Sequence, residues 1–206
     1  VDNPVNKYFN SLPDTTKEKL HQLEALYSLW NDRINLVSRK DMDSFALHHV
    51  VHSLSILKII RFEPGTRILD AGTGGGFPGI PLAIAFPECS FTLVDSIRKK
   101  ITAVSNVRDT LVLNNVETVW ARIENTKEKY HFVITRAVAP FPKIIKWTAG
   151  LIKKTSINKL PNGILALKGG SLTEELKNYP ECRIYNLGDF FDEEYFEEKK
   201  IVYMAV

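Results

Sequence analysis

Cysteine is scarce: Cys89 and Cys182 are the only two in 206 residues, and they offer neither a disulfide framework nor metal-ligand spacing. A reducing, cytoplasmic setting is the expectation that follows. Long apolar runs are also missing, with nothing near the roughly 18 residues of a membrane span. The first residues, Val1-Asp2-Asn3-Pro4, carry no charged-then-apolar signal pattern. Repeats, low-complexity tracts and linkers are absent. So is a strong charge bias: a net charge of +3 falls short of what would announce nucleic acid by itself.

What is present is the composition of a globular protein, 44% hydrophobic and 25% charged, in a chain long enough to bury a core without staples. Its length also needs no partner to fold, so a monomer is expected. Charge is unevenly spread. Residues 189–198 hold six acids and no base, which leaves the rest more basic and open to phosphate contacts.

Residues 1–60 read as helical. Asp14 or Thr15 can cap a helix in which Leu20, Leu23, Tyr27, Trp30 and Ile34 recur at spacings of three and four. A second helical stretch runs from Asp41 towards Ile60 and is stopped by Glu63-Pro64-Gly65. Then strands (near 67–70, 91–95, 116–120, 131–135 and 163–168) alternate with helices (80–86, 97–113, 141–154 and 172–178). Such alternation predicts an α/β fold, an open, mostly parallel sheet with helices on both faces. Strands at 183–187 and 200–206, in direct succession, predict a C-terminal hairpin with an antiparallel strand at the edge. The expected division is a helical cap, 1–60, packed as one unit with a ligand-binding domain, 61–206.

The loop Asp70-Ala71-Gly72-Thr73-Gly74-Gly75-Gly76-Phe77-Pro78-Gly79 lies between a strand and a helix. Its glycines allow positive φ and close backbone approach to a ligand. Gly74, Gly76 and Gly79 also satisfy the dinucleotide fingerprint, but five glycines in eight positions match many patterns. Two features tilt the expectation. Asp70 ends the strand where a pyrophosphate site would keep bare helix N–H groups, and it can accept hydrogen bonds from a ligand or hold the loop's amides. Phe77-Pro78 puts bulk where a dinucleotide loop needs clearance. Asp95, 19 positions after Gly76, is placed for ribose hydroxyls in nicotinamide and methyl-donor enzymes alike.

Asp70–Gly79 with Val94-Asp95-Ser96 resembles the class I S-adenosylmethionine-dependent methyltransferases, with their Rossmann-like sheet. Further segments narrow the likeness: Trp30-Asn31-x-Arg33-Ile34-Asn35-Leu36, His49-x-x-x-Ser53-Leu54, Ile80-Pro81-Leu82, Thr135-Arg136-Ala137-Val138-Ala139 and Ala166-Leu167-Lys168-Gly169. In this order they resemble the RsmG/GidB family, over nearly the whole chain. The resemblance implies methyl transfer from S-adenosylmethionine to N7 of a guanine in 16S ribosomal RNA, free or in the small ribosomal subunit. It implies that Gly72, Gly74 and Phe77 line the donor, with Asp70 and Asp95 beside it. Ile123 and Glu124 would contact its adenine, and Arg136 would sit between donor and RNA. Two departures stand out: Arg122-Ile123-Glu124 where the family usually has Arg-Ala-Glu, and His52 where it usually has Asp.

The residues suit that chemistry. Guanine N7 has an in-plane lone pair and no proton to lose, so positioning suffices and no general base is needed. The chain shows no Ser/His/Asp set and no metal-spaced cluster, and no metal is expected. His48 and His52 share i, i+4 spacing without a third ligand, which favours a packing role over zinc. RNA contacts are expected from Arg33, Arg39 and Lys40 in the cap, from Arg136 and Lys168 at strand ends, and from Lys143 and Lys146. Arg136 and Lys168 are the candidate substrate-positioning groups. The run Arg98-Lys99-Lys100 fits a solvated helix start as well as it fits RNA. Asn31 and Asn35 either fix the cap or touch RNA. Trp30, Trp120 and Trp147 are expected to be core or half-buried packing residues and not stacking platforms.

Two other classes compete. A nicotinamide oxidoreductase would need a Tyr-x-x-x-Lys pair on a cofactor-facing helix; only Tyr195 and Lys199 have the spacing, in the acidic stretch. A non-catalytic RNA-binding module would have no use for the intact loop and Asp95.

Overall fold

The computed structural model describes residues 3–206 except 32, 33 and 35, together with the backbone but not the side chains of 39 and 40. Arg33, Asn35 and the side chains of Arg39 and Lys40 therefore lie outside the described residues. Five parallel strands form first: β1 (Arg67–Ala71), β2 (Ser90–Asp95), β3 (Val116–Trp120), β4 (Phe132–Arg136) and β5 (Gly163–Gly169). With β6 (Arg183–Asn186) and β7 (Lys199–Ala205) the sheet order is β3-β2-β1-β4-β5-β7-β6. β7 is antiparallel to both β5 and β6. The expected antiparallel hairpin closes this edge of the sheet, with β6 outermost and β7, the strand that runs against the others, one place in. Gly163 makes this possible, since a Cβ there would lie 2.1 Å from the carbonyl of Met204 on β7.

Strand residues alternate between two cores, as period-two side chains must. Ile68, Leu93, Ile134, Leu165 and Ile201 face one; Leu69, Val94, Val133, Ile164 and Val202 face the other. The first core is covered by α5 (Gly79–Ala85), α6 (Arg98–Thr110) and the N-terminal helices α1 (Pro4–Tyr8) and α2 (Asp14–Asn31). The second is covered by α7 (Phe141–Thr148) and α8 (Thr173–Leu176).

Three helical stretches end or break early beside side-chain hydrogen bonds to the backbone. α2 ends at Asn31, leaving Ile34 outside, because the Asn31 carboxamide accepts from the amides of Leu36 and Val37 and donates to the Val37 carbonyl. The stretch from Asp41 to Ile60 is broken into α3 (Arg39–Met42), a π-helical turn (Ala46–Val51), α4 (His52–Leu54) and a 3₁₀ turn (Ser55–Lys58). Here Ser53 and Ser55 hydroxyls donate to the carbonyls of His49 and His52, competing with the backbone ladder. α7 stops at Thr148, whose hydroxyl donates to Ile144, before Gly150. α1 lies within the stretch 1–60 that reads as helical, and Asn3 capping Val5 with Pro4 at the first helical position starts it.

Candidate active site

The glycine loop leaves the end of β1 and enters α5. Gly72, Gly74 and Gly76 all take positive φ. Gly72 also has no room for a side chain, since a Cβ would lie 2.5 Å from Val138 Cγ2. Asp70 fixes the loop's two ends together: its Oδ2 accepts from Thr73 Oγ1 at 2.6 Å and from the Gly79 amide at 2.8 Å. It is wholly buried and stands outside the cleft wall, where its Oδ2 holds the loop's two ends. Burial raises its pKa to about 7, against the pull of those two hydrogen bonds and of Arg136.

The loop forms one wall of a cleft of about 540 Å³ at the carboxyl ends of the strands, the end where ligands bind in open α/β sheets. Gly72, Gly74, Phe77, Asp95, Ile123, Glu124 and Arg136 all line it. The structure brings these predicted residues together, with Asp70 beneath them. A slightly larger cavity, about 600 Å³, opens at the other end of the strands beside Phe62 and Phe86 and contains none of these groups. Chemistry, and not size, identifies the first.

Asp95 takes the Gly74 amide on Oδ2 and the Ile97 amide on Oδ1. A carboxylate has about four acceptor positions, so both oxygens can still receive a ribose diol. Ile97, 41% exposed, and Ile123 give the same region an apolar lining suited to a purine. The residues present therefore fit an adenosine ligand. Ile97 was not foreseen, because a lone apolar residue after a strand has no sequence signature.

Arg136, half-buried at the end of β4, faces the cap. Its guanidinium donates to the His48 carbonyl at 3.0 Å and to His49 Nδ1 at 2.7 Å, and lies 5.1 Å above the Phe77 ring. Arginine can only donate, so His49 Nδ1 accepts and the ring carries its proton on Nε2. Burial and the neighbouring guanidinium hold the His49 pKa down, to about 3. Among the described residues no carboxylate pairs with Arg136. Where a family Asp would stand, His52 is buried and its Nδ1 meets the Tyr195 hydroxyl at 3.0 Å. Tyr195 in turn stacks on His48, 3.9 Å between centroids, tying the acidic segment to the cap. The Tyr-x-x-x-Lys spacing singles out Tyr195, but no sequence pattern gives it this contact with the cap.

Two expectations need correction. Lys168 is not in the cleft wall: its ammonium is spent on the Ala139 carbonyl and Glu175 Oε1, both at 2.6 Å. Glu175 also accepts from the Phe141 amide, so this pair anchors the start of α7. Trp120 is not a packing residue, being 58% exposed. Trp30 and Trp147 do pack against the cores, and Asn31 fixes the turn after α2. Lys143, at the start of α7, joins the cleft wall; Lys100 and Arg122 do so as well.

Similar proteins agree with the geometry. Magnesium protoporphyrin IX methyltransferase of Synechocystis PCC 6803, solved with bound SAM, superposes with a TM-score of 0.59 over 82% of this chain and 86% of its own, at 16% identity. A SAM-dependent methyltransferase of Aquifex aeolicus gives 0.55 over 75% and 89%, at 14% identity. These likenesses show the fold. Ribosomal RNA small subunit methyltransferase G of Flavobacterium johnsoniae is 50% identical over 98% of this chain and 97% of its own. Its namesake in Porphyromonas gingivalis is 46% identical over 98% and 92%. The family model described as rRNA small subunit methyltransferase G matches residues 16–187. The chain therefore belongs to the GidB family of rRNA small subunit methyltransferases and is an S-adenosylmethionine-dependent methyltransferase.

Proposed function

We propose that this cleft transfers the methyl group of S-adenosylmethionine to N7 of a guanine in 16S ribosomal RNA, presented free or in the small ribosomal subunit. When bound, the donor supplies a methyl group on a cationic sulfonium, displaced in line. Gly72, Gly74 and Phe77 would shape its seat, Asp95 would take its ribose, and Ile123 with Glu124 would take its adenine. Among the described residues the wall holds no histidine, which suits an acceptor nitrogen that has no proton to remove.

The observation that carries this reading is Arg136. It is a sheltered cation in the donor cleft, fixed by the cap and free of any carboxylate among the described residues. The methylated guanine ring becomes cationic, so Arg136 would repel it at N7 and suits a backbone phosphate instead. It would hold the unstacked nucleotide at a fixed distance from the donor. Lys168 would contribute indirectly, by seating α7. In this reading residues 1–60 form the RNA side of one unit with residues 61–206, where Arg33 and Arg39 add phosphate contacts, and the enzyme works as a cytoplasmic monomer.

The test is methylation of unmodified small subunits, naked 16S RNA and tRNA, with the product mapped by mass spectrometry. Guanine methylation of subunits or of 16S RNA is expected. Labelling of tRNA alone, or of none of the three, overturns the proposal.

A further inference from the structure

The rim of the donor cleft beyond Asp95 carries a feature that donor binding does not use. Trp120, the last residue of β3, is 58% exposed and stands outside the cleft wall. An edge strand can end in any polar residue without cost, whereas an exposed indole leaves a large apolar face in water. The ring is also held in place. Its Nε1 donates to the Ser96 carbonyl at 3.0 Å, and Ser96 itself belongs to the cleft wall. The Arg98 guanidinium lies 5.2 Å from the ring centroid, a cation–π arrangement. Ile97, between Ser96 and Arg98, extends the exposed apolar surface.

Charge on the same rim points to an anion. Lys100, Arg122, Arg136 and Lys143 line the cleft against two acids, Asp95 and Glu124. None of these four cations is ion-paired among the described residues. A donor with a sulfonium, an ammonium and a single carboxylate is a net cation and does not call for four cations against two acids; a polyanion does. A fixed aromatic face beside unpaired cations is the chemistry that grips unpaired nucleotides, stacking the base and neutralising the phosphate.

We propose that Trp120 and Arg98 form a stacking platform for an unpaired base of the RNA substrate, outside the donor pocket and flanking the methylated nucleotide. The inference rests on the RNA-methyltransferase reading above. Stacking on Trp120 would hold the strand at one rim while Arg136 holds it at the cap, so that the target nucleotide is drawn out between two fixed points. The platform would read the presence of a base and not its identity, since every base offers a π face.

The experiment is steady-state methylation of unmodified small subunits or 16S RNA, with titration of S-adenosylmethionine alone in parallel. Trp120→Ala is expected to raise KM for RNA about ten-fold while leaving kcat and the donor Kd near wild type. Trp120→Phe, which keeps a π face, should recover KM to within about two-fold, and Arg98→Gln should raise it about three-fold. RNA should quench indole emission in the wild type, and Trp120→Phe should lose most of that quenching. An unchanged KM in Trp120→Ala, or quenching undiminished in Trp120→Phe, overturns the platform. So does a loss confined to donor affinity, which would assign Trp120 to the other ligand. A wild type that methylates no RNA overturns the underlying reading instead, so the two failures are told apart.

Discussion

The donor loop and the cap turn meet across Phe77 and Arg136, yet they are built in opposite ways. From Asp70 to Gly79 the chain is held by its own backbone: three positive-φ glycines and one buried carboxylate that gathers Thr73 and Gly79. From Ala46 to His52 it is held by side chains reaching over from elsewhere. Arg136 comes from β4, Tyr195 from the acidic segment, and Phe77 packs on His49 from the loop, while Tyr27 of α2 packs on Phe45 just before the turn. Tyr27 also donates its hydroxyl to the Gly75 carbonyl at 2.5 Å, so the two regions share a support. A loop that shapes a small rigid ligand is well served by local bonds. A turn that presents a cation to RNA can be assembled only once the rest of the chain has folded.

The largest effect should come from the loop's seat. A Cβ on Gly79 would lie 2.6 Å from Asp70 Oδ2 and 2.9 Å from Leu93 Cγ, both buried. Gly79→Ala is expected to cost about 1–3 kcal/mol in denaturant unfolding and to abolish donor binding by calorimetry. Gly74→Ala meets nothing within 4 Å and strains only a φ of +59°. It should cost about 1 kcal/mol and weaken donor binding modestly. If both variants behave alike, the Asp70 seat is not what organises the loop.

On the cap side the corresponding change is Arg136→Lys. A lysine keeps the charge but loses the fork that reaches the His48 carbonyl and His49 Nδ1 together. Methylation of RNA should fall roughly 10- to 100-fold in kcat/KM, with a much smaller change in the unfolding midpoint. A donor-binding defect larger than the RNA defect would place Arg136 on the donor side of the comparison.

This asymmetry also governs what was legible in sequence. The loop is a contiguous signal: glycines, a strand-end acid and a second acid 19 residues past Gly76 sit within one βαβ stretch, and seven of the eight proposed donor residues line the cleft. Asp70 is the eighth, and it lies beneath the wall with Oδ2 on Thr73 and Gly79. The cap gave itself away only as helix. Its breaks come from Ser53 and Ser55 hydroxyls, and its partners lie 87 to 147 residues along the chain. Lys168 looked like Arg136, a cation at a strand end, until Glu175 and the Ala139 carbonyl took its ammonium. The edge position of Trp120 follows from strand order, which local pattern does not encode.

The subtlest effect is a difference in sign. Asp70 titrates near pH 7 when folded and near 3.8 otherwise. Between those values the folded state holds the extra proton, so this group makes stability fall as pH rises. His49 does the reverse: folded it stays neutral down to about pH 3, while unfolded it protonates below 6.5. Across that window the unfolded state holds the extra proton, and stability rises with pH. Burial holds His52 down in the same direction. The loop and the cap thus oppose each other between about pH 4 and 6.5. Asp70→Asn should steepen the rise of unfolding free energy with pH there, and His49→Asn, which keeps an acceptor for Arg136, should flatten it. Each slope should change by less than about 1.4 kcal/mol per pH unit, the limit for one proton. Urea unfolding at half-unit steps would measure it. Slopes shifting in the same direction in both variants would show that the loop and the cap do not titrate against each other.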